Sequence, residues 1–164
     1  MKDLNPATEV SLQEVTAFLW HEADLLDRRD YDPWLALWTG DGHYVIPVEK
    51  EGEDFANYLN IAYDDAAMRK MRVQRFQAGF SISSAPPADS VRTVSRIVID
   101  RAEGDRLTVR GAQHVVEDKF GRQRVFAANV TWVLETGPGG LRIRDKIVRL
   151  LNSDGMLTSI SYLF

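Results

Sequence analysis

Between Arg124 and Thr136 the chain alternates well. Val125, Ala127, Asn129 and Thr131 fall on one side of an extended strand, and Phe126, Ala128, Val130 and Trp132 on the other. A period of two over that length specifies a strand with one buried face, because a slip of one residue would turn the whole apolar set toward water. Gly137-Pro138-Gly139-Gly140 then reverses the chain. Similar segments flank it. Val94 to Asp100 and Leu107 to Asp118 read as strands, separated by turns at Glu103-Gly104-Asp105 and at Gly121. Leu141, Ile143, Ile147, Leu150 and Leu151 mark a last long strand whose alternation slips near Asp145, the pattern of a β-bulge. Asn152 to Gly155 turns again, and Ser159 to Phe164 reads as a short terminal strand or arm. The second half is therefore a meander of four long antiparallel strands.

The first half has a different period. Ser11-Leu12-Gln13-Glu14 fits a capping box, and Val15, Phe18, Leu19, Glu22, Leu25 and Leu26 recur at helical spacing, with Glu22 the only polar member of the stripe. The helix is expected to reach Arg28 or Arg29, placing two arginines at the negative end of its dipole. Asp32 then reads as an N-cap and Pro33 as the first residue of a short helix carrying Trp34, Leu35, Leu37 and Trp38, closed by Thr39-Gly40. His43 to Val48 is strand-like, with Pro47 confined to an edge or a bulge because it has no amide to give a ladder. Glu49 to Asp54 reads as a loop, and Leu59 to Tyr63 as a second short strand. A third helix starts at Asp64 or Asp65 and is expected to stop at Gly79. Phe80 to Ser90, rich in serine and proline, reads as a loop. Helices first and a strand meander last predict an α+β fold: one curved antiparallel sheet wrapped over about three N-terminal helices, enclosing a pocket. Residues 1–164 are expected to form one domain, with 1–10 as an N-terminal arm.

Composition narrows the chemistry. Cysteine is absent from the 164 residues. Disulfides, thiol catalysis and cysteine-ligated zinc or iron–sulfur centres are thereby excluded for this chain. The three histidines, His21, His43 and His114, stand too far apart in sequence for a helical ligand pair. The net charge of −4, with both signs interleaved, predicts no broad phosphate-binding face. Arg69, Lys70, Arg72 and Arg75 are expected to spread over a solvated helix face. No run approaches the length of a membrane span, and the first eight residues lack the apolar core of a signal peptide. The expected compartment is the cytoplasm. Nucleotide-binding glycine motifs and the G-x-S-x-G nucleophile signature do not occur.

Among candidate site residues, Trp34 and Trp38 are expected in the core, and Met68 and Met71 in the core or at an interface. Asp41, His43 and Tyr44 are the sharpest catalytic set, since a carboxylate could take a proton and a phenol could stabilise an enolate. His43 and Tyr44, however, are neighbours on one strand and should point to opposite sides. His114 is expected to be a hydrogen-bonded sheet residue and His21 a helix-surface one. No residue is assigned to catalysis, cofactor binding or metal ligation.

An ordered series of segments resembles a known family. Phe18-Leu19-Trp20-His21-Glu22-Ala23-Asp24-Leu25-Leu26-Asp27 leads into Tyr31-Asp32-Pro33-Trp34-Leu35-Ala36-Leu37-Trp38, and Asp41-Gly42-His43-Tyr44-Val45-Ile46-Pro47 follows. Tyr63-Asp64-Asp65 and the Arg72-Val73 helix, Ala85-Pro86-Pro87, Val94-Ser95-Arg96-Ile97 and Arg142-Ile143-Arg144-Asp145-Lys146 continue it. Together they resemble the small, or beta, subunits of aromatic-ring-hydroxylating dioxygenases over roughly residues 15 to 164. The family often has an Arg-His pair before a V-S-N-V strand. Here Val91-Arg92-Thr93 precedes it and Arg96 replaces the Asn, so those contacts are not carried over.

The resemblance implies a cystatin-like cone of the nuclear-transport-factor-2 type. It implies a trimeric beta layer within an α3β3 hexamer, with a structural and assembly role in aromatic compound catabolism. It places the Rieske [2Fe-2S] cluster and the mononuclear iron in a partner alpha subunit, with no cofactor in this chain. Missing cysteines and unpaired histidines then read as a requirement for that partner. A stand-alone isomerase or dehydratase on the same cone, or a small-molecule binding module, are the competing readings.

Overall fold

The computed structural model describes residues 9–49, 51–82, 88–151 and 164, with the backbone alone for Phe80, Ser81 and Ile82. Helix α1 spans Leu12–Asp27, α2 Tyr31–Ala36 and α3 Ala66–Ile82. The strands are β1 Tyr44–Pro47, β2 Asn60–Asp64, β3 Asp89–Glu103, β4 Arg106–Lys119, β5 Arg122–Gly137 and β6 Gly140–Leu150, with a 3₁₀ turn at Phe55–Asn57. One six-stranded sheet runs β2-β1-β6-β5-β4-β3. Only β1 and β6 are parallel, and the other neighbours are antiparallel. The α+β class and the meander expected from the sequence are both present. The expected turn at Asn152–Gly155 and strand or arm from Ser159 lie outside the described residues, except for Phe164.

The caps explain where the helices begin and end. Ser11 accepts the Glu14 amide at 3.1 Å, as the capping box requires. At the other end the two arginines fall beyond the helix, not in its last turn. The Arg29 amide donates to the Leu26 carbonyl and the Asp30 amide to that of Leu25, the paired bonds of a Schellman stop, with Arg29 left-handed at φ 60°. The chain therefore re-enters helix at once. Asp30, not Asp32, is the N-cap of α2, and Pro33 sits within the first turn, where an amide is not required. The second helix stops at Ala36, before Thr39-Gly40, because Leu37 and Thr39 exchange backbone bonds of 2.8 Å with Ile143 on β6. Helix α3 is capped by Asp65, whose carboxylate accepts the Met68 amide at 2.9 Å. It passes through Gly79 to Ile82, since an exposed glycine weakens a helix without blocking it. Strand β3 begins five residues earlier than its apolar run, at Asp89, pairing from there with Asp118.

Two irregularities position the interior. Pro47 sits at a register shift opposite Asn60 on β2, at a bulge as its missing amide demands. On β6, Val133 pairs with Asp145 and Leu134 with Ile143, so Arg144 is the extra residue of the expected bulge. Its effect is to turn Lys146 inward, in line with Ile143 and Val148. The chain entering β1 latches onto this bulge: the His43 amide donates to Asp145 Oδ1 at 2.8 Å, and Lys146 donates its amide to the His43 carbonyl.

The concave sheet face packs on the helices. Val15, Leu19, Leu25 and Leu26 of α1 and Trp34 of α2 meet Val109, Val130, Trp132, Leu134 and Val148 of the sheet. Each such side chain taken fully out of water contributes about 1.5–3 kcal/mol. Asp27 ties the end of α1 to β3 by pairing with the Arg92 guanidinium and accepting the Arg92 amide at 2.8 Å.

Candidate functional site

The catalytic trio does not converge. Asp41 is exposed in the turn before β1, where the Thr39 hydroxyl bonds its backbone carbonyl at 2.8 Å. Its carboxyl is held below the ordinary value, mainly by hydrogen bonding to Thr39. The His43 ring stacks flat on Tyr63, with centroids 4.6 Å apart. Both line a groove of about 300 Å³ that Val45, Phe55, Arg101 and Asp145 also border. Tyr44 points the other way, into the cone, against the edges of Trp34 and Trp38. His43 and Tyr44 thus lie on opposite sides of β1, as strand geometry dictates. His21 is on the exposed face of α1 and His114 on the exposed face of β4.

On α3 the structure puts Met68 and Met71 outside the core, leaving the interface alternative expected for them, and Arg69 elsewhere than expected. Met68 and Met71 face solvent and border an open depression with Arg72 and Arg75. Arg69 is not on a solvated face: it is 2% exposed. Its guanidinium lies over Trp38 and donates to the carbonyls of Thr39, Gly42 and Asp64. Those carbonyls belong to loop and strand-end segments that converge only in the folded chain, so helical spacing alone could not reveal the burial. Arg72 forks onto Asp64, with its Nη2 2.9 Å from Oδ1.

The densest polar constellation lies inside the cone. Glu22 is 2% exposed and Lys146 fully buried. Lys146 Nζ donates to both Glu22 oxygens at 3.0 Å and to the Phe164 carbonyl at 2.7 Å. The indole N–H of Trp34 donates to Glu22 Oε2 at 3.0 Å, and that of Trp132 to Oε1 at 3.1 Å. Tyr44 Oη accepts the Phe164 amide at 2.9 Å, and the Phe164 ring meets Phe126 edge-on at 5.6 Å. Burial lowers the Lys146 pKa, opposed by Glu22, and burial raises that of Tyr44. Glu22 was legible as the polar member of an apolar stripe. Lys146 was not, because its inward direction depends on the bulge at Arg144. A buried carboxylate on an apolar helix face requires a cation, and that was the available signal.

This arrangement holds charge in place and leaves little for chemistry. Glu22 accepts four hydrogen bonds, and the three protons of Lys146 are all directed to acceptors. A general base needs a free lone pair within reach of a substrate proton, and Glu22 offers none. Among the described residues, no three His, Asp or Glu side chains cluster as metal ligands would. Among the same residues, no helix is long and apolar enough to cross a membrane.

Residues 21–154 match the ring hydroxylating beta subunit family. The small oxygenase component of the p-cumate 2,3-dioxygenase system of Pseudomonas putida is 30% identical over 145 residues, 85% of this chain and 79% of that protein. The crystal structure of the beta subunit of the benzoate 1,2-dioxygenase from Burkholderia mallei superposes with a TM-score of 0.81 at 21% identity, covering 95% of this chain and 99% of that one. An NTF2-like protein with a cystatin-like fold from Novosphingobium aromaticivorans gives a TM-score of 0.60 at 17% identity, over 85% and 81% of the two chains. The cone expected from the sequence is therefore the fold observed.

Proposed function

Because this chain belongs to the ring hydroxylating beta subunit family, we propose that it is the structural small subunit of an aromatic-ring-hydroxylating dioxygenase and contributes no catalytic group of its own. The Rieske cluster and the mononuclear iron belong to an alpha subunit, on which this chain assembles as a trimer in an α3β3 complex in the cytoplasm. The chain acts as one domain; the arm expected at 1–10 lies, for residues 1–8, outside the described residues.

The observation that carries this reading is the saturated interior. Related cones that act on small molecules need an open pocket with titratable groups free to exchange protons. Here the buried Glu22–Lys146 pair inside the cone is bonded internally, to two indoles and to Phe164, and the buried Tyr44 phenol accepts the Phe164 amide. Aromatic, ionic and strand-pairing contacts lock the same elements together, which suits a scaffold.

Co-expression with the alpha subunit tests the reading. The two chains are expected to co-purify and to elute together from size-exclusion chromatography as a hexamer, with ring-hydroxylating activity appearing only in the assembled complex. Separate elution at micromolar concentration, or activity of the alpha subunit unchanged by this chain, overturns it.

A further inference from the structure

We infer that α3 of one copy docks against the acidic loop before β2 of the next, and that this contact closes the trimer; the inference rests on the trimeric assembly already proposed. Along α3, Met68, Met71, Arg75 and Ala78 recur three and four residues apart, so they share one face of the helix. With Arg72 they border an open depression of about 520 Å³. Met68 is 46% exposed and Met71 59%, on a helix whose inward positions Arg69 and Val73 already fill. Arg72 is held by Asp64, whereas Arg75 is exposed and has no carboxylate partner among the described residues. Methionine and arginine are enriched where protein surfaces meet.

The loop supplies the complement. Glu49 to Asp54 holds four carboxylates against one lysine. Glu49, Glu51 and Glu53 are exposed, and among the described residues no cation pairs with them. Tyr58 and Leu59, which follow, are 59% and 68% exposed. One patch is therefore apolar and basic, the other apolar and acidic, and opposite potentials fix how two such surfaces meet. Within a single chain the strand between them keeps them apart. Leu59 leads into β2 at Asn60, and Asp65 caps α3 just past the end of β2 at Asp64. Four strand steps of about 3.3 Å hold those ends about 13 Å apart. A second copy brings the patches together. Because they are two different surfaces, the contact is head-to-tail, and a head-to-tail contact closes into a ring where an isologous one stops at a dimer.

The test measures the mass of the full chain in solution by analytical ultracentrifugation. Met71→Glu with Arg75→Glu removes one face, and Tyr58→Glu with Leu59→Glu removes the other. All four side chains are exposed, so both variants are expected to fold as the parent does. Each variant alone is expected to be monomeric where the parent is a trimer, its self-association weakened at least about a hundredfold. Mixed, the two are expected to form dimers and no trimer, because only the loop of the first variant and the α3 of the second are intact. Should a variant not fold, Met71→Ser or Leu59→Ser takes its place in the same mixing. A trimer in both folded variants overturns the inference and leaves the trimeric assembly standing, and so does a mixture that stays monomeric. A parent that is monomeric alone and trimeric only with the alpha subunit puts that partner in place of the second copy, and overturns the inference as well. A parent that is trimeric in neither setting overturns the trimeric assembly itself.

Discussion

Lys146 Nζ stands 3.0 Å from both carboxylate oxygens of Glu22, with both side chains out of water. The pair joins α1 to β6 across the cone, 124 residues apart in sequence. Removing the cation alone leaves a buried carboxylate held only by two indoles. Lys146→Met is therefore expected to destabilise the chain by about 3–5 kcal/mol, the usual cost of orphaning one member of a buried pair. The urea unfolding midpoint of variant and parent, at equal slope, measures this. A loss under about 1 kcal/mol would show that water or protonation of Glu22 compensates, and that the pair is not what fastens the helix to the sheet.

Tyr44 gives the interior a pH signature. Burial raises its phenol above the ordinary value of 10.0. Above about pH 10 the unfolded chain releases a proton that the native phenol keeps, so stability falls as pH rises through that range. Lys146 acts with the opposite sign, because burial lowers its pKa. Between its folded value and the ordinary 10.5, the unfolded chain holds the extra proton and stability rises with pH. Tyr44→Phe removes the first effect and leaves the second. The parent is expected to lose stability more steeply than the variant above about pH 10, by up to about 1.4 kcal/mol per pH unit. Urea titrations of both proteins across that range decide it, and parallel slopes would contradict the burial of an ionisable phenol.

The sheet was readable because its information is local. The alternation of Phe126, Ala128, Val130 and Trp132 needs nothing but a period of two, and the slip near Asp145 marked its own bulge. What stayed hidden depends on register or on distant partners. The direction of Lys146 follows from one extra residue at Arg144. The burial of Arg69 follows from three carbonyls that meet only after folding. Met68 and Met71 read as core or interface, and α3 turns them out of the core, because Val73 and Arg69 take the inward positions. The candidate trio failed for a reason already visible, the opposed directions of His43 and Tyr44 on one strand. The interior pair that replaced it was half visible, in Glu22.

Two glycines should respond to alanine with opposite signs. Gly42 has φ +95°, and a Cβ there would lie 2.3 Å from the Arg144 carbonyl oxygen, backbone that the bulge fixes. Gly42→Ala is expected to cost about 2–4 kcal/mol, from backbone strain and overpacking together. Gly79 lies within α3 with open space around its would-be Cβ. Gly79→Ala is expected to stabilise the helix by about 0.5–1 kcal/mol. Thermal melts of the two variants beside the parent test both, and a neutral Gly42→Ala would mean that the latch between β1 and the β6 bulge is loose.

The last prediction concerns the trio itself. If this chain acts only as a scaffold, Asp41→Asn and His43→Ala should leave the turnover of the assembled dioxygenase within about twofold of the parent. Removing a general acid or base typically costs 10²–10⁴-fold. Neither residue is in the core: Asp41 is exposed and His43 half-buried against Tyr63. Both variants should therefore fold and assemble, so a loss of rate cannot be blamed on lost subunits if the hexamer peak is intact. The groove beside His43 makes this a demanding test, because a histidine, a tyrosine, an arginine and two carboxylates border a common space there. A fall of a hundredfold in kcat for His43→Ala with unchanged assembly would move the chemistry into this chain, at that groove.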